Sequence, residues 1–138
     1  MLLDTHTWRW HAAGDVKRIG PRARRQIDRA RAQGALVVSV ASMFEIAALS
    51  AAGRLQLAPS VESWIRQSIE IGRIQVAEIT PDIAIEAGSI PTLAVPDPID
   101  RLLVATARTL GVPIATRDAT IRAYIESRGL GRVIDIWK

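Results

Sequence analysis

Residues 97–118 read Asp97-Pro98-Ile99-Asp100-Arg101-Leu102-Leu103-Val104-Ala105-Thr106-Ala107-Arg108-Thr109-Leu110-Gly111-Val112-Pro113-Ile114-Ala115-Thr116-Arg117-Asp118. Asp97 is placed to cap a helix, Pro98 suits its first position, and Asp100 adds negative charge to its first turn. Gly111 stops the helix after Leu110. Val112 to Thr116 is then a short apolar strand, and Asp118 stands just beyond it. A capped helix feeding a short apolar strand is half of a β-α-β unit. The question for the rest of the chain is whether that alternation continues.

It does, in both directions. Downstream, Thr120 to Arg128 reads as a helix and Val133 to Ile136 as a last strand. Upstream, Thr80-Pro81 opens a short helix ending near Gly88, and Ile74 to Ile79 is a strand candidate. Ser60 can cap a helix running to Ile71 and ending at Gly72. Ser39 to Ala52 is a helix stopped by Gly53, preceded by the strand Ala35 to Val38. Pro21 to Gln33 is a helix with Pro in its first turn and Gly34 past its end. The chain opens on the buried strand Met1-Leu2-Leu3, then Asp4 and a short helix from Thr5 to Ala12. Short apolar strands alternating with helices predict an α/β fold with a mainly parallel sheet covered on both faces. Ile90 to Pro96 is the one loop of note, and no repeat or long linker breaks residues 1–138, so a single domain is expected.

Composition narrows the function classes. There is no cysteine, which excludes disulfides, thiolate zinc sites and cysteine nucleophiles. The apolar runs Ile46–Leu49 and Leu102–Ala105 are far too short to span a membrane. The start lacks the basic and apolar regions of a signal peptide. A soluble, cytoplasmic protein is expected. The net charge of +4 and a pI near 10.6 favour a polyanionic partner, nucleic acid or an acidic protein.

In open parallel sheets, ligands collect at the carboxyl ends of the strands. Asp4 follows the first strand, Asp118 follows the strand ending at Thr116, and Asp97 and Asp100 open the helix leading into that strand. Glu45 lies in the helix after the second strand, in an otherwise apolar neighbourhood. Gathered at one sheet edge, such carboxylates repel one another unless something positive sits among them. A hard divalent cation is the natural occupant: magnesium or manganese takes oxygen ligands, keeps several waters and binds substrate phosphate. That chemistry predicts hydrolysis of a nucleic-acid backbone. Each acid also has a structural reading. Asp4 and Asp97 can be helix caps, Asp100 part of a well-built helix start, Asp118 a turn residue, and Glu45 part of a solvated face.

Four stretches together resemble the PIN-domain family, in particular the VapC-type toxins of bacterial VapBC toxin–antitoxin pairs. They are Leu2-Leu3-Asp4-Thr5-His6-Thr7-Trp8; Ser39 to Ala47 followed by Gly53-Arg54-Leu55; Asp97 to Ala107; and Thr116-Arg117-Asp118 with Ile121 and Tyr124. They stand in order over nearly the whole chain. The resemblance implies a three-layer α/β/α sandwich around a parallel sheet, an acidic site for Mg2+ or Mn2+, and endoribonuclease activity. It places the family's acids on Asp4, Glu45, Asp100 and Asp118, and its small hydroxyl residue on Thr116. Thr116, Asp97 and Thr5 adjoin these acids as candidates to support them. The resemblance also implies a homodimer and a small VapB-like antitoxin whose C-terminal segment covers the site. One departure is that Val95-Pro96 stands where many relatives carry His or Arg before the Asp-Pro.

Other residues carry open readings. His6 and His11 are the only histidines, and His6 is near enough to Asp4 to touch the site. Trp8 and Trp10 can stack on bases or pack in the core. Arg22, Arg25 and Arg29 share one helix face, as a phosphate- or antitoxin-contacting patch or as a solvated surface. Arg54, Arg101 and Arg117 lie within the motifs, and Arg101 can pair with a neighbouring acid. A haloacid-dehalogenase-type phosphatase needs a second Asp two residues after the first, where His6 stands. A response-regulator receiver needs paired acids after its first strand and a lysine near its last strands, and this chain has neither. A catalytically degenerate binding domain and a housekeeping RNA-processing nuclease remain the alternatives to a toxin. The presence of all four acids argues against the first.

Overall fold

The computed structural model describes residues 1–138. Five strands and seven helices follow one another as β1 (Leu2–Leu3), α1 (Thr5–Ala12), α2 (Pro21–Ala32), β2 (Val37–Ser39), α3 (Val40–Ala51), α4 (Val61–Gly72), β3 (Gln75–Ala77), α5 (Pro81–Ser89), α6 (Pro98–Leu110), β4 (Ile114–Thr116), α7 (Ala119–Arg128) and β5 (Val133–Asp135). The sheet order is β3-β2-β1-β4-β5, and every pairing is parallel. From β1 the chain builds outward to β2 and β3, then returns to the other side of β1 for β4 and β5. The order therefore reverses between β1 and β4, and ligands of such sheets bind in the crevice beyond the strand ends there.

Side-chain alternation along the short strands divides the core in two. Leu2, Val37 and Ile114 point to one face, where they pack with Ile90, Val95, Leu103, Val104, Ala107, Ile121 and Ile125. Leu3, Val38 and Ala115 point to the other, against Trp8, Trp10, Ile19, Ile27, Leu36, Ile46, Ile74 and Ile136. The result is the expected three-layer α/β/α sandwich, with α6 and α7 on one side and α1 and α2 on the other.

All twelve elements coincide with the sequence reading, with shifted edges that have local causes. Ser39 ends β2 and also caps α3, its Oγ accepting from the Ala41 N–H at 3.0 Å. Ala119 rather than Thr120 begins α7, because Asp118 is its N-cap. α4 ends at Gly72 as expected, but the left-handed residue that follows is Arg73 at φ 52°, not the glycine. A Cβ at Gly72 would lie 2.8 Å from Ile74 Cδ1, so the Ile74 side chain would have to shift.

The C-terminal residues are fastened to the start of α2. Gly20 N–H donates to the Ile136 carbonyl at 2.7 Å and Arg22 N–H to the Lys138 carbonyl at 2.8 Å. A Cβ on Gly20 would fall 2.4 Å from the Lys138 carbonyl carbon and 2.6 Å from the Trp137 carbonyl oxygen, both backbone atoms. Gly20→Ala is therefore expected to cost about 1–3 kcal/mol, as overpacking does. Gly88→Ala, inside α5 with nothing within 4 Å of the added Cβ, should instead gain up to about 1 kcal/mol from helix propensity. Urea unfolding of both variants measures this. Equal stabilities would show that the C-terminal segment does not press on Gly20.

Candidate active site

The crevice at the strand-order reversal is a pocket of about 390 Å³ lined by Asp4, Thr5, His6, Glu45, Asp97, Asp100, Arg117, Asp118, Ala119 and Trp137. Five of these ten are carboxylates. Asp4 comes from the end of β1, Asp118 from just beyond β4, Asp97 and Asp100 from the start of α6, and Glu45 from α3. The structure thus brings together every acid singled out in the sequence.

Three of the five are helix N-caps. Asp4 Oδ1 accepts from the Thr7 N–H at 2.7 Å. Asp97 Oδ1 accepts from the N–H groups of Ile99 at 2.7 Å and Asp100 at 3.1 Å. Asp118 Oδ1 accepts from the Thr120 N–H at 2.7 Å, the Thr120 hydroxyl at 2.5 Å and the Ile121 N–H at 3.0 Å. The cap and site readings of these residues were alternatives in the sequence. In the fold one carboxylate serves both positions, because helices that start at a parallel sheet's edge aim their N-termini at the crevice. The positive ends of α1, α6 and α7 offset part of the negative charge gathered there.

Thr116 joins the two sides of the crevice. Its hydroxyl donates to Asp4 Oδ2 at 2.5 Å and accepts from the Asp118 N–H at 2.9 Å. Thr116 is buried beneath the pocket rather than lining it. Thr5 donates its hydroxyl to Ser42 Oγ at 3.0 Å, tying α1 to α3 one turn before Glu45.

The acids differ in their electrostatics. Asp4 is only 5% exposed, with both carboxylate oxygens hydrogen-bonded. At Asp118, burial pushes the carboxyl upward. The Thr120 hydroxyl, the N–H groups of Ile121 and Thr120, and Arg117 outweigh it and hold the group below its usual value. Asp100 is pushed up to about 7, first by burial, then by the charges of Asp97, Asp118, Glu45 and Asp4. No hydrogen bond or cation compensates it.

An all-oxygen donor set with uncompensated negative charge fits a hard divalent cation rather than a softer metal. No three of these side chains are placed so that they could hold one ion together. A small ion that keeps most of its waters and takes one or two direct carboxylates is the kind such an open set suits.

Other expectations divide. Of the three motif arginines only Arg117 lines the pocket. Arg101 does not pair with an acid. Its Nη1 donates to the carbonyls of Val95 and Pro96, both at 3.1 Å, and so pins the loop before α6. Val95, of the Val95-Pro96 pair that precedes the Asp-Pro, is fully buried in the core. Trp8 and Trp10 are 0% and 7% exposed, so the packing reading holds for both. His6 lines the pocket and stacks on Trp10 with ring centroids 5.5 Å apart. Burial lowers its pKa, with Arg117 and Arg9 acting in the same sense and Asp4 and Glu45 against. Arg22, Arg25 and Arg29 are exposed opposite the buried Ala23, Ile27 and Ala30 and do not reach the acidic pocket.

Sequence reasoning missed Trp137. It follows β5, and the carboxyl end of β5 lies at the same sheet edge as those of β1 and β4. The strand-end rule that selected Asp4 and Asp118 therefore also points to it.

Comparison with known proteins agrees with this geometry. Residues 1–126 match the family profile of the PIN domain. Over 128 residues, 93% of this chain and 94% of the relative, the sequence is 35% identical to ribonuclease VapC22 of Mycobacterium tuberculosis (strain ATCC 25618 / H37Rv). With four acids at the strand-order reversal of a parallel sheet, and a match that runs from the first residue to within the last helix, this chain belongs to the PIN-domain family, as a member of the VapC type.

Proposed function

We propose that this chain is an endoribonuclease that hydrolyses RNA phosphodiester bonds with the help of Mg2+ or Mn2+ bound among Asp4, Glu45, Asp100 and Asp118. We infer further that it is the toxin of a type II toxin–antitoxin pair. The observation that carries the reading is the convergence of five carboxylates on one pocket, with Asp100 pushed up to about 7 by burial and then by the charge of the other four. PIN-domain ribonucleases generally use divalent metal ions, and similarity to a VapC ribonuclease supports RNA as the substrate.

In this reading Asp4 and Asp118 are the fixed members of the site, Asp4 held by the Thr116 hydroxyl and the N-terminus of α1, Asp118 by the Thr120 hydroxyl and the N-terminus of α7. Asp100 and Glu45 carry no hydrogen bond in the structure and are free to turn toward an ion or its waters. Asp97 is a supporting cap whose charge adds to the cluster. A divalent ion bound there would neutralise charge on the phosphodiester and acidify a water molecule. Arg117 supplies a permanent cation at the rim for the phosphate backbone.

A VapB-like antitoxin that covers the pocket and a homodimeric toxin follow from the same family likeness. Exposed Phe44, Ile85 and Leu93 offer apolar surface for such contacts. No helix is long and apolar enough to cross a membrane, and a cytoplasmic location is part of the proposal.

Purified protein should cleave RNA with Mg2+ or Mn2+ and stop in chelator. Undiminished cleavage in chelator would overturn the metal site. Expression alone should arrest growth, and co-expression of a small protein encoded beside it should restore growth. Unaltered growth on expression alone would favour an RNA-processing role.

The two acids at the start of α6 should behave differently. Asp97→Asn keeps a capping oxygen and should retain the fold and most activity, whereas Asp97→Ala should cost about 1 kcal/mol. Asp100→Asn should fold and lose nearly all cleavage. The folded state holds the Asp100 proton more tightly than the unfolded chain. Metal-free stability should therefore fall as pH rises from the ordinary carboxylate range through about 7. Asp100→Asn should flatten that fall and stabilise the metal-free protein at pH 8 by on the order of 1 kcal/mol. Melting curves across pH, with cleavage rates, measure both. An Asp97→Asn variant as inactive as Asp100→Asn while folded would place Asp97 among the metal ligands.

Thr116→Val should leave Asp4 Oδ2 and the Asp118 N–H without their partner. The expected cost is about 1–3 kcal/mol, with a loss of cleavage, and Thr116→Ser should restore most of both. A fully active Thr116→Val would show that the bridge does not position the acids.

A further inference from the structure

The three indoles of Trp8, Trp10 and Trp64 are buried or half-buried, whereas Trp137 is 54% exposed and lines the acidic pocket. It is one of only two apolar residues there, and the other, Ala119, has almost no side chain. Trp137 also lies beyond the residues 1–126 that match the PIN-domain profile.

Its backbone is fixed on several sides. The Trp137 N–H donates to Asp135 Oδ1 at 3.0 Å. The other oxygen of Asp135 is held by Arg122 at 2.6 Å. Gly20, without a side chain, lets the Trp137 backbone lie against α2. The indole itself leans on Trp10, centroids 6.3 Å apart at 41°. Arg117 packs over the same Trp10 ring at 4.8 Å. Although it stands among five carboxylates, Arg117 makes no ion pair with any of them. Trp10 thus positions two groups at one rim of the pocket, an uncommitted guanidinium and a half-exposed indole. A half-exposed indole at the rim of a polar pocket offers a flat apolar face on which a ligand ring can stack. A cation beside it matches a phosphate.

We propose that Trp137 is the base-stacking residue of this site. It would hold an unpaired base of a single-stranded RNA next to the scissile phosphodiester, while Arg117 contacts the adjoining phosphate. The inference rests on the ribonuclease reading above and adds the conformation of the substrate: the nucleotide beside the cut must be unstacked from its neighbours. Trp137 is a positioning residue here and takes no part in bond breaking. Stacking on an aromatic face tolerates every base, so Trp137 selects for an unpaired nucleotide rather than for a sequence.

The test uses the full chain and a short fluorescein-labelled single-stranded RNA of mixed sequence. Binding is followed by anisotropy in the Asp100→Asn background, which removes one repelling carboxylate and holds cleavage off. Adding Trp137→Ala should weaken binding about tenfold, and Trp137→Phe by no more than about threefold. In a series of probes with one base removed at a time, one position should weaken binding in the Trp137 protein and have no effect in Trp137→Ala, as coupled partners require. With Asp100 restored, Trp137→Ala should raise KM and leave kcat nearly unchanged.

Unchanged RNA affinity in a folded Trp137→Ala would overturn the proposal. So would a loss that is the same at every abasic position. Normal RNA binding with a weakened complex with the antitoxin would overturn it too, and make Trp137 a protein contact. If the parent chain cleaves RNA and Trp137→Ala matches it, the stacking role alone fails. If the parent chain neither binds nor cleaves RNA, the ribonuclease reading fails and the stacking role falls with it.

Discussion

The hydroxyl of Thr116 is the contact on which the arrangement of the pocket depends. It has a single proton, and that proton goes to Asp4 Oδ2, which leaves its lone pairs for the Asp118 N–H. One buried oxygen atom thus links the end of β1 to the turn after β4, the two strands that flank the reversal of the sheet order. Asp4 and Thr116 are 112 residues apart in the chain, and only the parallel pairing of β1 with β4 brings the two together. The sheet supplies the proximity, and the hydroxyl fixes the Asp4 carboxylate against the backbone of Asp118.

That fixing leaves a division of labour among the acids. Asp4 has both carboxylate oxygens hydrogen-bonded, to the Thr7 N–H and the Thr116 hydroxyl, and Asp118 is held through Oδ1 alone, which leaves its Oδ2 free. Asp100 and Glu45 are uncommitted, and Asp100 bears the electrostatic cost of the cluster. Three helix N-termini lower that cost without cancelling it. The one nearby guanidinium, that of Arg117, is held over Trp10 rather than paired with an acid. The negative charge therefore stays available, which is what a site for a cation and a phosphodiester requires. Stability given up in the metal-free protein is the other side of that arrangement.

Much of this was legible in the sequence, for identifiable reasons. The helix from Pro98 to Leu110 announces both its ends, with Asp97 and Pro98 at one and Gly111, at φ 64°, at the other. The strands are only two or three residues long, yet β1, β2 and β4 are mostly apolar and lead directly or within two residues to a helix cap, Asp4, Ser39 and Asp118, so their type could be read. What could not be read was set by contacts distant in sequence. Nothing near Arg101 says that its guanidinium will hold the carbonyls of Val95 and Pro96. Nothing near Gly72 says that the left-handed turn after α4 will fall on Arg73 rather than on the glycine. For Asp4, Asp97 and Asp118 the sequence offered capping or a place in the site as rivals, and the fold lets each residue do the first while standing in the acidic crevice. Trp137 sits at the far end of the chain and reaches the pocket only because β5 runs parallel to β4.

On the function proposed above, the crevice holds a divalent metal among Asp4, Asp100, Asp118 and Glu45. The most direct test is a crystal of the protein grown with Mn2+, with anomalous diffraction recorded at the manganese edge. The account predicts a peak inside the crevice, with oxygen ligands from at least one of these carboxylates and water in the remaining positions, and no such peak in Asp100→Asn. A manganese ion bound elsewhere with the crevice empty, or an undiminished peak in Asp100→Asn, would contradict it.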